Sequence, residues 1–500
     1  MPPEHGGRDA SIFAVIPPMA QRPPYSPPAS HCAAPKAHSV SSSAPTATGS
    51  PPAMSLKKSE RYASLCNACE ELHCGADALQ FRDYLLVLLF LKFLSDASTA
   101  ASQPSILVPP GCSFADVAKL PGSPDAGYQC NALISRLVAA NPAIQGTLDS
   151  VPFHDKERLG YTKDVADRLG KMVSIFEALH FCGDPAAMRD DLNDAFEHLC
   201  RSFTNEPCKA RVPLYTPIEL SRLMVQLAGL DRATTPEQSV YDPACGIGTT
   251  LACAYDYTLR QTGYSLRLFG QELDPLTCAM ARINLALHGG SQVRVGSGHT
   301  FANPLYCASP TQLESFDYIL SHPSFVYKSW SGALHPSKDP FGRFELGIPP
   351  DKSGDFAFLL HALHSLKKSG KAVLLLPQDV LYRGAVEGSI RARIVRQGSI
   401  RCVVGLPANL FHGTSVPACL LVLNTEEGSH HSGILMIDAS HGFVQDGCKN
   451  RLRDEDVQRI ADTFHHRTEV LGYSRMVGSI ELEANAFNLN LPRYIEAGTA

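Results

Sequence analysis

The spacing of apolar positions changes character twice along this chain. From residue 55 to about 200, apolar side chains recur three and four positions apart: Leu65, Ala68 and Leu72, then Tyr84, Val87, Leu88, Leu91 and Leu94, and later Val165, Leu169, Met172, Ile175, Phe176 and Leu179. That period is one face of an α-helix and predicts a domain of several packed helices. From about 205 to 427, short apolar runs alternate with helical stretches: SVYDPA, LRLFGQEL, FDYILS, KAVLLLP, IRCVVGLP and ACLLVLN. The alternation predicts an α/β fold with a mostly parallel, doubly wound sheet. The last stretch returns to charged helix, RLRDEDVQRIADTFHHR, and ends in a tail, NLNLPRYI. The expected organisation is therefore a Pro/Ser/Ala-rich tail over 1–53, a helical domain over 54–200, an α/β domain over 205–430 and a helical C-terminal tail over 431–500.

Composition refines this picture in three places. Segments such as PPYSPPAS and SVSSSAPTATGSPPA within 1–53 carry too little apolar surface to offset the entropy of ordering, so they are read as disordered. Met54 follows at once, and both a start at Met54 and a flexible leading tail stay open. The most apolar run, YLLVLLFLKFL over 84–94, is too short to span a bilayer and contains Lys92. No basic start with an apolar core and a small-residue cleavage site opens the chain, so secretion is not indicated. The 16 cysteines are scattered through apolar segments, the pattern of a reduced, cytoplasmic chain rather than a disulfide framework. The net charge of -5 says nothing for or against nucleic acid, because a basic groove can sit on a neutral protein.

The chemistry is concentrated at the ends of strands. Val240 to Thr250, VYDPACGIGTT, reads as a strand, a tight glycine turn and a helix. Gly246 and Gly248 let the backbone approach a ligand, and Asp242 accepts from an ammonium or hydroxyl there. The next strand ends in Gln271-Glu272, an acidic residue placed to meet a ribose diol. The turn does not have the dinucleotide GxGxxG spacing. Its combination with a correctly spaced Gln-Glu is far more specific than glycines alone.

These residues resemble a known family, the modification subunits of type I restriction–modification systems, which are adenine-N6 DNA methyltransferases. The resemblance covers about 55–497 and is carried by FRDYLLVLLFLKFLSD, LYTPIELSRLMVQL, YDPACGIGT, FGQELDPLTCAMARINLALHG, FGRFELGIPPDKSGDFAFLLHALHSLK, VVGLPANLFHGTSVPACLLVLN and NLNLPRYI. It implies a Rossmann-like methyltransferase domain preceded by an all-helical N-terminal domain. It implies S-adenosyl-L-methionine as cofactor, no metal and no membrane. Duplex DNA, a separate specificity subunit and the restriction subunit are the implied partners. Tyr215, Thr216 and Pro217 then close over the methionine end of the cofactor, Asp242, Cys245, Gly246 and Gly248 lie under its amino acid part, and Glu272 meets the ribose. Asp355 and Phe356 fall in the block that follows the catalytic loop.

Two positions depart from the family pattern. Where the family has Asn-Pro-Pro-Phe or Tyr, this chain has His322-Pro323-Ser324-Phe325. In that loop the Asn oxygen and a backbone carbonyl accept the two hydrogens of the adenine amine, and the ring stacks on the flipped base. A neutral imidazole offers one acceptor, and a protonated one offers none. Where the family has an Asp that accepts from the cofactor's adenine amine, this chain has His299. Two readings follow: a divergent enzyme with His322, Pro323 and Phe325 as its catalytic loop, and a catalytically impaired paralogue serving as an assembly or DNA-binding subunit. Ser324 lies on the wrong side of Pro323 for a cytosine-type Ser-Pro-Pro loop.

Other constellations are weaker. Cys66, Cys69, His73 and Cys74 lack the second pair that a structural zinc site needs. Lys57, Lys58 and Arg61, and Arg391, Arg393 and Arg396, are equally consistent with phosphate contacts and with solvated helix faces. The charges in RLRDED (451–456) read as a salt-bridged surface, and His361 and His412 show no partner in the sequence.

Overall fold

The computed structural model describes residues 78–100, 106–146, 148–159, 162–181, 188, 191–192, 194–196, 199, 216–288, 292–325, 329–332, 334–411, 414–425, 433–447 and 449–496. The leading tail, the Cys66–Cys74 constellation, Lys57, Lys58, Arg61, Tyr215 and His412 lie outside them.

The N-terminal part is helical as its periodicity predicts, with main helices Ala78–Ala100, Ala126–Ala139 and Thr162–Glu177. The run 84–91 is at most 2% exposed at every position. It is the central helix of this part, which explains why it is apolar on all sides rather than amphipathic. Its one lysine, Lys92, is neutralised one turn later by Asp96 at 3.0 Å. The core of this part continues into Ile247, Leu276, Met280 and Ile283, so the N-terminal helices pack directly on the α/β part. Among the described residues no helix is long and apolar enough to cross a membrane.

The α/β part is a nine-stranded mixed sheet. Its strands are β1 (Ser239–Asp242), β2 (Arg267–Glu272), β3 (Val293–Ser297), β6 (Phe316–Ser321), β7 (Leu366–Pro377), β8 (Ile400–Gly405), β9 (Ala418–Asn424), β10 (Ile434–Asp438) and β13 (Ser474–Val477). Two small hairpins, β4–β5 (Cys307–Ser309 and Gln312–Leu313) and β11–β12 (Val444–Asp446 and Lys449–Arg451), lie outside it. The order is β13-β10-β8-β9-β7-β6-β1-β2-β3. β9 and β13 run antiparallel to their neighbours and the other pairings are parallel.

All six apolar runs read from the sequence are strands of this sheet. The region 431–500 is not the helical tail that was expected. It holds the helix Asp454–His466, but β10 and β13 complete one edge of the sheet. These strands are only five and four residues long, and β3 is equally short, so none carries a periodicity readable without its partners.

Strand alternation divides the core into two layers. Val240, Leu268, Leu320 and Val373 face the helices Ile218–Ala228 and Thr249–Thr262, whereas Tyr241, Phe269, Ile319 and Leu374 face the helices Asp355–His364 and Ala385–Arg396. The chain leaves β1 toward β2 and β3, then returns to β6 on the other side of β1. The point where a doubly wound sheet reverses direction opens a crevice at the carboxyl ends of its strands. Here that crevice lies between Asp242 at the end of β1 and Ser321-His322 at the end of β6.

Candidate active site at the switch between β1 and β6

β1 ends in a buried aspartate, and the chain then turns on two glycines. Asp242 Oδ1 accepts from the Ala244 N–H at 2.9 Å. Gly246 and Gly248 have φ of +55° and +77°, the left-handed region that disfavours a side chain. Gly248 N donates to Cys245 O at 2.8 Å, and Asn284 Nδ2 donates to Ile247 O at 3.0 Å. The turn is thus fixed from both sides before the helix Thr249–Thr262 begins.

β2 supplies the second element. Cys245 N donates to Gln271 O at 3.0 Å, and Gly246 N donates to Glu272 Oε2 at 3.0 Å. The other carboxylate oxygen of Glu272 accepts from Asp274 N at 3.0 Å. The two oxygens together offer about four lone-pair sites, so they retain room for a further donor.

Electrostatics follow from burial. Burial pushes Asp242 up to about 7, against the Ala244 N–H, which favours the ionised form, and nearby Glu272 adds to the rise. Burial also raises Glu272, while the Asp274 and Gly246 N–H groups oppose it. The Cys245 thiol is pushed well above its ordinary value by burial. It stays protonated and is no nucleophile.

The turn after β3 carries His299. Its Nδ1 accepts from Phe301 N at 3.2 Å and Ala302 N at 3.3 Å, so His299 caps its own turn. Thr300 Oγ1 donates to Pro243 O at 2.6 Å and ties this turn to the β1 loop. Sequence reasoning missed the clamp behind it. The buried Arg343 donates to Thr300 O at 3.3 Å and to Phe301 O at 2.8 Å. The Arg sits in the FGRFELG block, yet nothing in its spacing tells which carbonyls it meets.

The loop after β6 is closed. His322 is 4% exposed. Its Nδ1 lies 2.8 Å from Thr216 Oγ1, and its Nε2 is buried without a hydrogen-bond partner among the described residues. Burial lowers its pKa to about 3, so the ring is neutral. The ring packs against Phe325 at 5.2 Å and Phe411 at 5.1 Å between centroids, and those two phenylalanines meet at 5.4 Å. Phe411 was not singled out in the sequence, although it lies in the NLFHGT stretch.

One small cavity joins these elements: Thr216, Cys245, Gly246, Thr249, Thr250 and His322 all line it. The β1 glycine turn and the β6 loop therefore share one space. Glu272 at the end of β2 reaches it through its bond to Gly246 N, and His299 lies two residues beyond β3, next to Thr300, which bonds Pro243 O. Pro217 is buried immediately before the helix Ile218–Ala228.

Other candidates turn out to be structural. Arg391 is buried and donates to the carbonyls of Phe487, Val380 and Arg383, so it does not meet phosphate. Arg396 stacks on Phe487 at 4.3 Å, whereas Arg393 is exposed with one bond to Leu346 O. His361 does have partners: it lies 3.2 Å from the Tyr241 hydroxyl and 3.4 Å from the Arg343 guanidinium. Asp355 pairs with Arg383 at 2.7 Å, which makes the start of its helix a structural ion pair. Among the described residues no group of acidic, His or Cys side chains is arranged to hold a metal.

Comparison with known proteins agrees with this geometry. The family model described as N-6 DNA Methylase matches residues 187–500. The type I restriction enzyme MjaVII methylase subunit of Methanocaldococcus jannaschii is 29% identical over 61% of this chain and 53% of its own length. The HindI methylase subunit of Haemophilus influenzae is 28% identical over 67% of this chain and 76% of its own length. The chain thus spans between about half and three quarters of the length of these relatives. The crystal structure of a type I restriction-modification system methyltransferase subunit from Streptococcus thermophilus superposes with a TM-score of 0.68 at 25% identity, over 88% of this chain and 100% of that one. A strand order that places a glycine turn and an aromatic loop at one switch point, and a family match over most of the chain, lead to one conclusion: the protein belongs to the N-6 DNA methylase family.

Proposed function

We propose that this chain is the modification subunit of a type I restriction–modification system. It methylates N6 of adenine in duplex DNA in the cytoplasm, together with a separate specificity subunit and the restriction subunit. The observation that carries this reading is the shared cavity, in which the cofactor-type turn after β1 meets the His322 loop after β6. The N-terminal helices and the C-terminal segment then provide surfaces for DNA and for partner subunits.

The residues fit S-adenosyl-L-methionine. A Cβ built on Gly246 has nothing within 4 Å, so the backbone there is bare toward open space. In this reading the Asp242 carboxylate at the end of β1 meets the ammonium of the cofactor, and Glu272 retains acceptor capacity for a diol. When bound, the cofactor supplies an electrophilic methyl group on a sulfonium. In this reading His299 is the residue that meets the purine, and Thr216, which lines the cavity, and Pro217 belong to the segment that closes over the methionine end.

The work of the chain is to prepare the amine. Nitrogen N6 of adenine is a poor nucleophile because its lone pair is delocalised into the ring. Acceptors placed on its two hydrogens, His322 and the Pro323 carbonyl, direct that lone pair outward. The proton released after transfer goes to solvent, because a ring with its pKa lowered to about 3 does not retain it. Phe325, which meets Phe411 at 5.4 Å between ring centroids, supplies the ring that stacks on the base, and burial of the loop strengthens each hydrogen bond.

The test is transfer of labelled methyl to duplex DNA by the chain assembled with its specificity subunit. Asp242→Ala and Phe325→Ala are expected to reduce transfer by about 10²-fold or more. Absence of transfer by both the wild type and His322→Asn, with the cofactor bound, would overturn the proposal.

A further inference from the structure

His322 is held at one nitrogen and bare at the other. Nδ1 has a single partner, Thr216 Oγ1, and Nε2 is buried with none among the described residues. The two residues are 106 positions apart, so this contact is made by the fold. It joins the approach to the helix Ile218–Ala228 to the end of β6.

A neutral imidazole has two forms, and Thr216 can serve either. In one, Thr216 donates its hydroxyl hydrogen to Nδ1, which leaves an N–H at Nε2 buried with no acceptor. In the other, Nδ1–H donates to Thr216 Oγ1, and Nε2 keeps a bare lone pair. Orphaned buried N–H groups are rarer in folded proteins than acceptors short of a donor. Thr216 is partly buried and lines the cavity, so its own hydroxyl hydrogen can turn toward that space in the second form but is consumed in the first. Both arguments select the second form.

We infer that Thr216 fixes His322 as the Nδ1–H tautomer and so leaves Nε2 as the acceptor for one hydrogen of the target amine. The inference rests on the function proposed above for the identity of that amine, but the tautomer itself does not. It makes Thr216 a positioning residue that acts through His322, a different role from the cofactor contact the family pattern implies. It also accounts for how a histidine fills a place that requires an acceptor. The imidazole lone pair replaces an amide oxygen only when the opposite nitrogen carries the hydrogen, and among the described residues Thr216 is the hydrogen-bond partner that holds it there.

The experiment is nitrogen NMR on histidine-labelled full-length protein, with His322→Gln to assign the signals, alongside methyl transfer by the assembled subunits. Wild type and Thr216→Ser are expected to show a protonated Nδ1 and an unprotonated Nε2. Thr216→Val is expected to move the hydrogen to Nε2 and to lower turnover by about 10²-fold, with the KM for DNA unchanged within about threefold. Thr216→Ser restores turnover. A protonated Nε2 in the wild type overturns the inference whether or not the enzyme is active, as does normal turnover in Thr216→Val. Failure of the proposed function has a different signature: Nδ1–H is observed, yet no variant transfers methyl. That result overturns the target amine as the partner of Nε2.

Discussion

Arg343 and Asp339 form an ion pair of 2.6 Å with side chains 0% and 2% exposed. The guanidinium also stacks near Phe341 and Phe344 at 5.2 and 5.4 Å and reaches the carbonyls of Thr300 and Phe301. One buried cation thus holds the segment 339–344 and the His299 turn together.

Removing the cation alone leaves Asp339 charged and buried. Arg343→Met is expected to destabilise the protein by about 3–5 kcal/mol, measured by urea unfolding. Arg343→Met with Asp339→Asn is expected to recover more than half of that loss, because no uncompensated charge remains. Equal losses in the single and double variants would show that packing, not charge, dominates. Arg343→Lys does not rescue, because a point-like ammonium cannot serve an anion and two carbonyls in the fork geometry of a guanidinium.

If Asp242 lies under the cofactor as proposed, cofactor binding is expected to depend on pH. Burial raises its pKa to about 7, above the value of about 3.9 in an unfolded chain. Between these values the folded state holds a proton that the unfolded state has released, so this residue's contribution to stability is lost as pH rises through about 7. Binding runs the other way. A cationic ligand selects the carboxylate, about one-tenth populated at pH 6 and about nine-tenths at pH 8. The affinity for S-adenosyl-L-methionine by calorimetry is expected to rise about tenfold over that range, and the dependence is expected to vanish in Asp242→Asn. A flat profile in the wild type would remove Asp242 from the binding site.

A substitution at Gly246 is expected to separate ligand binding from folding. Its φ of +55° disfavours a side chain, but a Cβ there meets nothing within 4 Å. Gly246→Ala is expected to cost only about 1–2 kcal/mol of stability, the strain of the left-handed conformation. Cofactor affinity is expected to fall by tenfold or more, because the methyl group enters the open side of the turn. Thermal unfolding and calorimetry on one preparation check both. A large loss of stability with unchanged affinity would place the ligand elsewhere.

Much of the α/β part was legible because its evidence is local. FDYILS and KAVLLLP are apolar over the full length of a strand, and DPACGIGTT needs only a few residues to specify a turn. β10 and β13 were not legible. ILMID and SRMV are too short to show a period, and pairing across the sheet makes them strands. Arg391 reads like any surface arginine, and its burial against Phe487 O depends on a contact 96 residues away.

That a glycine turn follows one strand, that Glu272 ends the next, and that His322 precedes a proline and an aromatic ring are all local facts of the chain, and the family resemblance adds that an amide is expected at 322. Residue type and nearest neighbours suffice for those statements. The adjacency of β1 and β6, the packing of Phe411 on His322 and the choice of Thr216 as its described hydrogen-bond partner arise only from the fold. Burial and long-range hydrogen bonds set the protonation and direction of an imidazole, and they exist only once distant segments have packed.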